Sequence, residues 1–183
     1  MGETETKRGS QPIAVVMGVS GCGKTFVGKR LAEAIGADFL EGDNFHPPEN
    51  IALMSSGHPL DDAHRAGWLD AIGRKLAAIA EEGASAVATC SALKRIYRDR
   101  LRRHCPRVVF VHLAIDKATA RQRVGSRKDH FMPASLIDSQ FADLQPLEAP
   151  EAGITLDGTA DVSLLVPAAM EYLERETGRR MEA

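Results

Sequence analysis

The segment GVSGCGKT, residues 18–25, matches the pattern G-x-x-x-x-G-K-[S/T] at every fixed position. The apolar run PIAVVM at residues 12–17 predicts a buried strand, and Val27, Leu31 and Ile35 recur behind the loop at helical spacing. A glycine-rich turn that matched by chance would not carry both flanking elements. The order strand, glycine loop, helix therefore predicts a site for nucleotide phosphates.

The residue types in this loop suit phosphate chemistry. Glycines let the backbone turn with positive φ, so that several N–H groups face one anion at the positive end of the following helix. Lys24 is expected to reach the β- and γ-phosphates, and the Thr25 hydroxyl to hold Mg²⁺. Cys22 is interpreted as a small filler rather than a redox switch. ATP and Mg²⁺ are the expected cofactors, and the residues expected to bind them are Gly18, Val19, Ser20, Gly21, Cys22, Gly23, Lys24 and Thr25.

The composition limits what else the chain can be. It has 183 residues, of which 44% are hydrophobic and 26% charged, as is usual for one soluble globular domain. The net charge of −2 gives no overall attraction to nucleic acid or membranes. No apolar run is as long as a membrane span, the polar start lacks a signal-peptide core, and the three cysteines show neither metal nor disulfide spacing. We expect a cytoplasmic domain over residues 12–177, with a disordered tail at 1–11, a second tail at 178–183, and no nucleic-acid or membrane partner.

An acidic loop punctuated by glycine and proline follows the first helix in ADFLEGDNFHPPEN, residues 37–50. In open parallel sheets ligands bind beyond the carboxyl ends of the strands, and a second strand lying beside the first would place Asp43 near the γ-phosphate. Asp43 could there orient or deprotonate an attacking hydroxyl, or assist Mg²⁺. The alternative for Asp43 is a turn residue, and the alternatives for His46 are a loop residue and a ligand.

The next segments predict a long helix and a third strand. The segment at residues 58–83 contains the helix, with Asp61 or Asp62 as its cap and Arg65 in its first turn. A cation is unfavourable there with the helix dipole, which indicates an anionic or polar partner. The strand SAVAT, residues 85–89, ends in CSALK rather than in a Walker-B carboxylate, and no N-K-x-D motif occurs, which argues against motor ATPases and GTPases. The apolar stripe of the helix predicts a core face formed by Trp68, Leu69, Ile72, Leu76 and Ile79.

A strongly basic helix is predicted at LKRIYRDRLRRHCPR, residues 93–107, where Lys94, Arg98 and Arg102 share one face. Three interpretations stay open. The face is solvated, or Lys94 and Arg98 bind an anion because they lie near a strand end, or the helix is a nucleic-acid patch, for which there is little aromatic interleaving.

A second basic segment, RQRVGSRKDHFMP from residue 121, follows the predicted fourth strand VVFVHL at residues 108–113. In this place it suits a mobile lid, at about residues 124–134, that brings positive charge to a transferring phosphoryl group. Arg127 is the candidate for that role, and Arg123, one helical turn earlier, could stack on adenine. The alternative is an exposed charge run without a role.

Six segments together resemble the bacterial gluconokinase family, small P-loop kinases related to shikimate and nucleoside monophosphate kinases. They are GVSGCGKT, EGDNFHPPEN, SGHPLDDAHRAGWL, CSALKRIYRDRLR, RKDHF and SQFADLQPLEAP. The resemblance covers residues 13 to about 173. It implies a three-layer α/β P-loop kinase fold of the nucleoside monophosphate kinase type: a mostly parallel five-stranded sheet with helices on both faces and a lid.

The resemblance also implies a reaction, transfer of the ATP γ-phosphate to the 6-hydroxyl of D-gluconate to give 6-phospho-D-gluconate, and a protein that is commonly dimeric. It implies that Asp43 is the base, that Arg123 binds the nucleotide, and that Arg127 acts from the lid together with Lys24 in neutralising charge. The residues it suggests for gluconate are Asp43, His46, Arg65, Lys94, Arg98, His130 and Gln140.

The chain departs from the family pattern at HRAGWL, where relatives commonly read D-R-x-P-W-L. His64 stands in place of an aspartate and Gly67 in place of the proline. We expect the first change to alter how Arg65 is held, and the second to loosen the helix start. Two alternatives to gluconate phosphorylation stay open: a kinase of another small acid or nucleotide, such as shikimate or a nucleoside monophosphate, and a non-catalytic ATP-binding module.

Overall fold

The computed structural model describes residues 10–126 and 136–178 and shows a five-stranded sheet in the order β2-β3-β1-β4-β5, with every pairing parallel. This confirms the predicted fold class. The strands are β1 Ile13–Met17, β2 Asp38–Leu40, β3 Ala86–Thr89, β4 Val108–Ala114 and β5 Gly153–Asp157. The helices are α1 Lys24–Ile35, α2 Pro48–Ser55, α3 Asp62–Glu81, α4 Arg95–His104, α5 Lys117–Gly125, α6 Ile137–Asp143 and α7 Val162–Thr177, and a 3₁₀ turn spans Gly42–Phe45.

The central strand β1 is buried on both faces and divides the core into two layers. Ala14 and Val16 face a cluster formed with α1 and α7, whereas Ile13, Val15 and Met17 face a cluster formed with α3 and α4. Alternate side chains of a strand point to opposite faces, so a parallel sheet covered on both sides needs a continuous apolar strand. The predicted stripe of α3 is confirmed as core, since all five of its residues are at most 2% exposed.

The expectation that the second strand lies beside the first is wrong, because β3 lies between β1 and β2. The short strand β2 has only three residues and pairs with β3 from Asp38 to Leu40. The acidic loop after β2 therefore has to cross the end of β3 to reach the phosphate loop. Within the two described stretches of the chain, no helix combines the length and apolarity that crossing a bilayer requires.

Arg98 ties three parts of the fold together from inside the protein. Its side chain and that of Glu151 are both fully buried, and the two form a bidentate ion pair at 2.7 and 2.9 Å. The remaining N–H groups of Arg98 donate to backbone carbonyls of Ala92 and Leu93, before α4, and of Gln145 and Pro146, after α6. The interpretation of Arg98 as part of a solvated face or as a substrate ligand is therefore corrected: its donors are occupied by the protein.

Replacing Arg98 by Met is expected to lower the free energy of unfolding by about 3–5 kcal/mol, because it leaves a buried carboxylate and four carbonyls without their partner. The measurement is equilibrium unfolding in urea. The control is Arg95→Met on the same helix, whose side chain is 41% exposed and lies 3.8 Å from Asp99. Such a surface pair is worth less than about 1 kcal/mol. Equal losses in the two variants would contradict the structural role of Arg98.

Candidate active site

The phosphate loop joins β1 to α1 and has the backbone that its glycines predict. Gly18, Gly21 and Gly23 have φ values of 139°, 84° and 100°, in the region that other residues rarely adopt. Lys24 is the first residue of α1, and its ammonium donates to the carbonyl oxygens of Gly18 and Val19 at 3.1 Å each. The lysine thus lies over the loop, at the positive end of the helix dipole.

Glu41, at the carboxyl end of β2, is a site residue that the sequence analysis missed. The Thr25 hydroxyl donates to one of its carboxylate oxygens at 2.7 Å, and the Thr89 hydroxyl donates to the other. The end of β3 carries no carboxylate, and Glu41 instead follows the neighbouring strand β2. A carboxylate directly after an apolar strand, in LEGD, was the available signal.

The pair of Thr25 and Glu41 fits a magnesium ion by the chemistry of its donors, since Mg²⁺ prefers oxygen ligands. In kinases it is held by one or two protein side chains together with substrate phosphates. In line with this, the described residues contain no cluster of three or more His, Cys, Asp or Glu side chains that could hold a metal. The Thr25 hydroxyl and the Glu41 carboxylate would therefore be its protein ligands.

A cavity of about 430 Å³ extends from the phosphate loop to the first turn of α3. Of the predicted site residues, it brings together nine. They are Ser20, Gly21, Gly23, Lys24, Thr25, Asp43, His46, Arg65 and, from α6, Gln140. Apolar side chains of Met54, Leu60 and Leu136 close the far wall.

Asp43 reaches this cavity because the 3₁₀ turn crosses the end of β3. The Gly42 N–H donates to the Thr89 hydroxyl at 3.0 Å, and the Gly42 carbonyl accepts from the Trp68 indole at 2.8 Å. A Cβ atom at residue 42 would lie 1.8 Å from the Thr89 carbonyl oxygen, so only glycine allows this approach. The turn thus brings Asp43 to the site although β2 and β1 are not neighbours.

His46 is packed flat against Trp68, with ring centroids 4.1 Å apart. Burial, and second the charge of Arg65, lower the pKa of His46 from 6.5 to about 4. The imidazole is therefore neutral near pH 7 and can both donate and accept hydrogen bonds.

Arg65 presents a cation to the cavity while being only 8% exposed. Its Nε donates to the Leu60 carbonyl at 3.1 Å, and its guanidinium lies 5.4 Å from the ring centroid of Tyr97. In the part of the chain that the structure describes, no carboxylate lies within ion-pair distance of it. A buried charge without an ion pair is costly, so this arrangement favours an anionic ligand.

The effect of His64 on how Arg65 is held stays a prediction. The His64 ring contacts Asp61 at 2.6 Å on the surface, whereas Arg65 is held by Leu60 and Tyr97. Asp61 also accepts from the His64 backbone N–H, which caps α3 at its start. The helix start is thus fixed by a cap, without the proline.

Three charged side chains that line this cavity also act on a buried thiol, Cys90, directly after β3. Burial raises the pKa of Cys90 to about 12; the charge of Asp43 acts in the same direction, and the charges of Lys24 and Arg65 act against it. Lys24, Asp43 and Arg65 thus line one cavity near the end of β3.

The other predicted residues with side chains of interest fall into four cases. Gln140 lines the cavity, and its amide accepts from the Ser20 N–H at 2.6 Å and donates to the Ser20 hydroxyl at 3.1 Å. Arg123 donates to the carbonyls of Gly21 and Gly158 and lines a second cavity of about 670 Å³ beside the phosphate loop. Lys94 lies outside the 430 Å³ cavity, paired with Asp62 at 2.8 Å and Asp143 at 3.5 Å. Arg127 and His130 lie outside the described residues.

Because the pKa of His46 is lowered, we expect this residue to make the protein less stable in mild acid. Between about pH 6.5 and about pH 4 the unfolded chain binds a proton at His46 and the folded chain does not, so stability falls as the pH falls. The contribution reaches about 3 kcal/mol at the lower end. His46→Gln is expected to lose less stability than the wild type between about pH 7 and about pH 4.5, measured by urea unfolding. Equal losses would show that the ring protonates freely in the folded state.

The sequence of this chain is similar to those of known proteins. A family model described as an AAA domain matches residues 13–147. The gluconokinase of Gluconobacter oxydans is 42% identical over 177 residues, which cover 96% of this chain and 99% of that protein. The thermoresistant gluconokinase of Escherichia coli is 39% identical over 164 residues, covering 89% of this chain and 94% of that protein.

Solved structures of gluconokinase and sugar kinase are similar to this chain in sequence and in fold. The crystal structure of a gluconokinase from Sinorhizobium meliloti has a TM-score of 0.81 at 42% identity, covering 94% of this chain and 96% of that one. An unliganded sugar kinase from a Janibacter species has a TM-score of 0.86 at 45% identity, covering 90% and 95%. Since these relatives match nearly the whole chain at about 40% identity, the chain belongs to the gluconokinase family of P-loop kinases.

Proposed function

We propose that this protein transfers the γ-phosphoryl group of ATP to the 6-hydroxyl of D-gluconate, giving 6-phospho-D-gluconate and ADP. The observation that carries the proposal is the single cavity that joins Lys24 and Thr25 at one end to Asp43, His46 and Arg65 at the other. A phosphoryl donor and a small acceptor can meet in such a space. The family relationship supports both the use of ATP and the acceptor.

The phosphate loop and the second cavity would hold the nucleotide. The loop N–H groups and Lys24 would bind the phosphates. Arg123, which lines the second cavity, is proposed to stack on the adenine ring. Magnesium held by Thr25 and Glu41 would supply positive charge to the phosphate oxygens.

Asp43 is assigned the role of positioning the acceptor hydroxyl and accepting its proton. The acceptor oxygen forms a bond to the γ-phosphorus, the bond from that phosphorus to the bridging oxygen breaks, and ADP takes the electron pair. Lys24 neutralises charge that develops on the phosphoryl oxygens. Arg127 is proposed to assist it.

The other end of the cavity suits a sugar acid. The Arg65 guanidinium would bind the carboxylate of gluconate, which is a bidentate partner for it. The neutral His46 would hydrogen-bond to hydroxyl groups rather than attract a second charge. Gln140 is proposed to fix the cavity wall through its hydrogen bonds with Ser20. His130 stays a predicted ligand of gluconate. From the family relationship we also propose a homodimer that works in the cytoplasm.

The test of the reaction is ATP turnover by the purified protein in a coupled assay for ADP, with D-gluconate, shikimate, AMP and other aldonic acids supplied separately. We expect turnover with gluconate far above the others. Activity with another acid alone would keep phosphoryl transfer and discard gluconate as substrate. ATP binding without turnover on any acceptor would favour a non-catalytic module.

Asp43→Asn is expected to lower kcat at least about a hundredfold, because an amide cannot take up the proton of the acceptor hydroxyl. The KM for ATP should stay within about twofold of the wild type, since Asp43 does not belong to the phosphate loop. The matched control is Asn44→Ala, an exposed residue of the same 3₁₀ turn, which should retain wild-type kinetics. A kcat that survives in Asp43→Asn would make this aspartate only a turn residue.

A further inference from the structure

Arg65 has a natural ion-pair partner that is engaged elsewhere. Asp62 is the first residue of α3 and lies three residues before Arg65, a spacing at which side chains on a helix meet. The carboxylate oxygen Oδ1 of Asp62 instead accepts from the Lys94 ammonium at 2.8 Å and from the Tyr97 hydroxyl at 2.5 Å. Both donors come from the start of α4.

Tyr97 also supports the guanidinium directly. Two cations lie near its ring, Arg65 at 5.4 Å and Lys94 at 5.6 Å from the ring centroid. The side chain is only 2% exposed, so the ring is held in place by the core. Burial, and then the hydrogen bond to Asp62, raise the pKa of Tyr97 to about 12, so it stays a phenol donor at physiological pH.

Lys94 is held by carboxylates on two helices. Besides Asp62 on α3, it approaches Asp143 on α6 at 3.5 Å, and the hydrogen bond to Asp62 raises the pKa of the lysine. Neither Lys94 nor Tyr97 lines the 430 Å³ cavity, whereas Arg65 does. An effect of these two residues on an acceptor in that cavity would therefore have to pass through Arg65.

We propose that Lys94 and Tyr97 are positioning residues that engage the Asp62 carboxylate and support Arg65 from behind, so that its guanidinium faces the cavity as the binding site for the carboxylate of the acceptor. The inference rests on the proposed function in that the acceptor is an acid, but not on its being gluconate. It changes the role expected of Lys94 from a direct ligand to a residue that keeps a competing carboxylate away.

Lys94→Met removes one of the two donors that engage Asp62. The freed carboxylate is expected to pair with Arg65 and to raise the KM for the acid acceptor about tenfold, while the KM for ATP stays within about twofold. The matched control is Lys117→Met. Lys117 likewise pairs with an aspartate, Asp138 at 3.2 Å, and lies 5.8 Å from a phenylalanine ring, but outside the cavity. It should leave both KM values unchanged.

The decisive variant is Lys94→Met combined with Asp62→Asn. If Lys94 acts by occupying Asp62, removing the charge of Asp62 restores the acceptor KM to near the wild-type value. A lysine that bound the acceptor directly would not be rescued in this way. Absence of rescue therefore overturns the inference, as does an equal rise of both KM values in the single variant.

Tyr97→Leu tests the support of Arg65 in the same manner. It should raise the acceptor KM several-fold in the wild-type background and have no further effect when Arg65 is already replaced by Met, because the two residues act as a unit. Independent effects in the two backgrounds would overturn the inference. Circular dichroism and thermal midpoints establish that each variant is folded.

The same experiment separates this inference from the proposed function. All variants are assayed with the acid that the wild-type protein phosphorylates in the substrate panel. If that acid is not gluconate, the proposed substrate fails and the rescue test still decides the role of Lys94. If the wild-type protein neither binds nor phosphorylates any acid, the assignment of Arg65 fails and the inference fails with it.

Discussion

The contact of Gly42 with the end of β3 is the constraint on which the site depends. The strand before it, β2, is separated from the phosphate loop by β3, and a backbone that could not approach Thr89 closely would keep the acidic loop away from the nucleotide. The hydrogen bonds of Gly42 to Thr89 and Trp68 fix the crossing. Glu41 and Asp43, on either side of this glycine, consequently face the phosphate loop and the acceptor end.

Two buried arginines in the site region, Arg98 and Arg65, have different surroundings. Arg98 is fully buried and has its donors satisfied by Glu151 and four carbonyls, so it fixes the segments around the site without being available to a ligand. Arg65 is nearly as buried, yet its guanidinium has an aromatic ring behind it and the cavity in front. The same side-chain type thus holds the framework in one place and lines the cavity in the other, where we propose that it binds an anion.

Backbone strain accompanies this arrangement at the turn after β3. Ala92 has a φ of 43°, in the left-handed region that favours glycine, and its carbonyl accepts from Arg98. The neighbouring Ser91 carbonyl accepts from the N–H of Gly18, the first residue of the phosphate loop. Arg98 therefore stabilises a strained turn that contacts the nucleotide site, and strain of this kind persists where the surrounding structure holds it.

The sequence by itself determined the phosphate loop and the core stripe of α3, because these are encoded in local spacing and in apolar periodicity. The parallel α/β fold and the family followed from the resemblance of six segments to a known family of kinases. The sequence also pointed to Asp43, His46, Arg65 and Gln140, which the cavity brings together. It could not order the strands, and it did not find Glu41, because strand order and the meeting of Glu41 with Thr25 depend on contacts between distant segments. The sequence also could not show that Arg98 and Lys94 pair with carboxylates of the protein itself rather than with a ligand. A helix pattern shows that basic residues share a face, but only the tertiary structure decides whether Glu151, Asp62 or the cavity lies opposite that face.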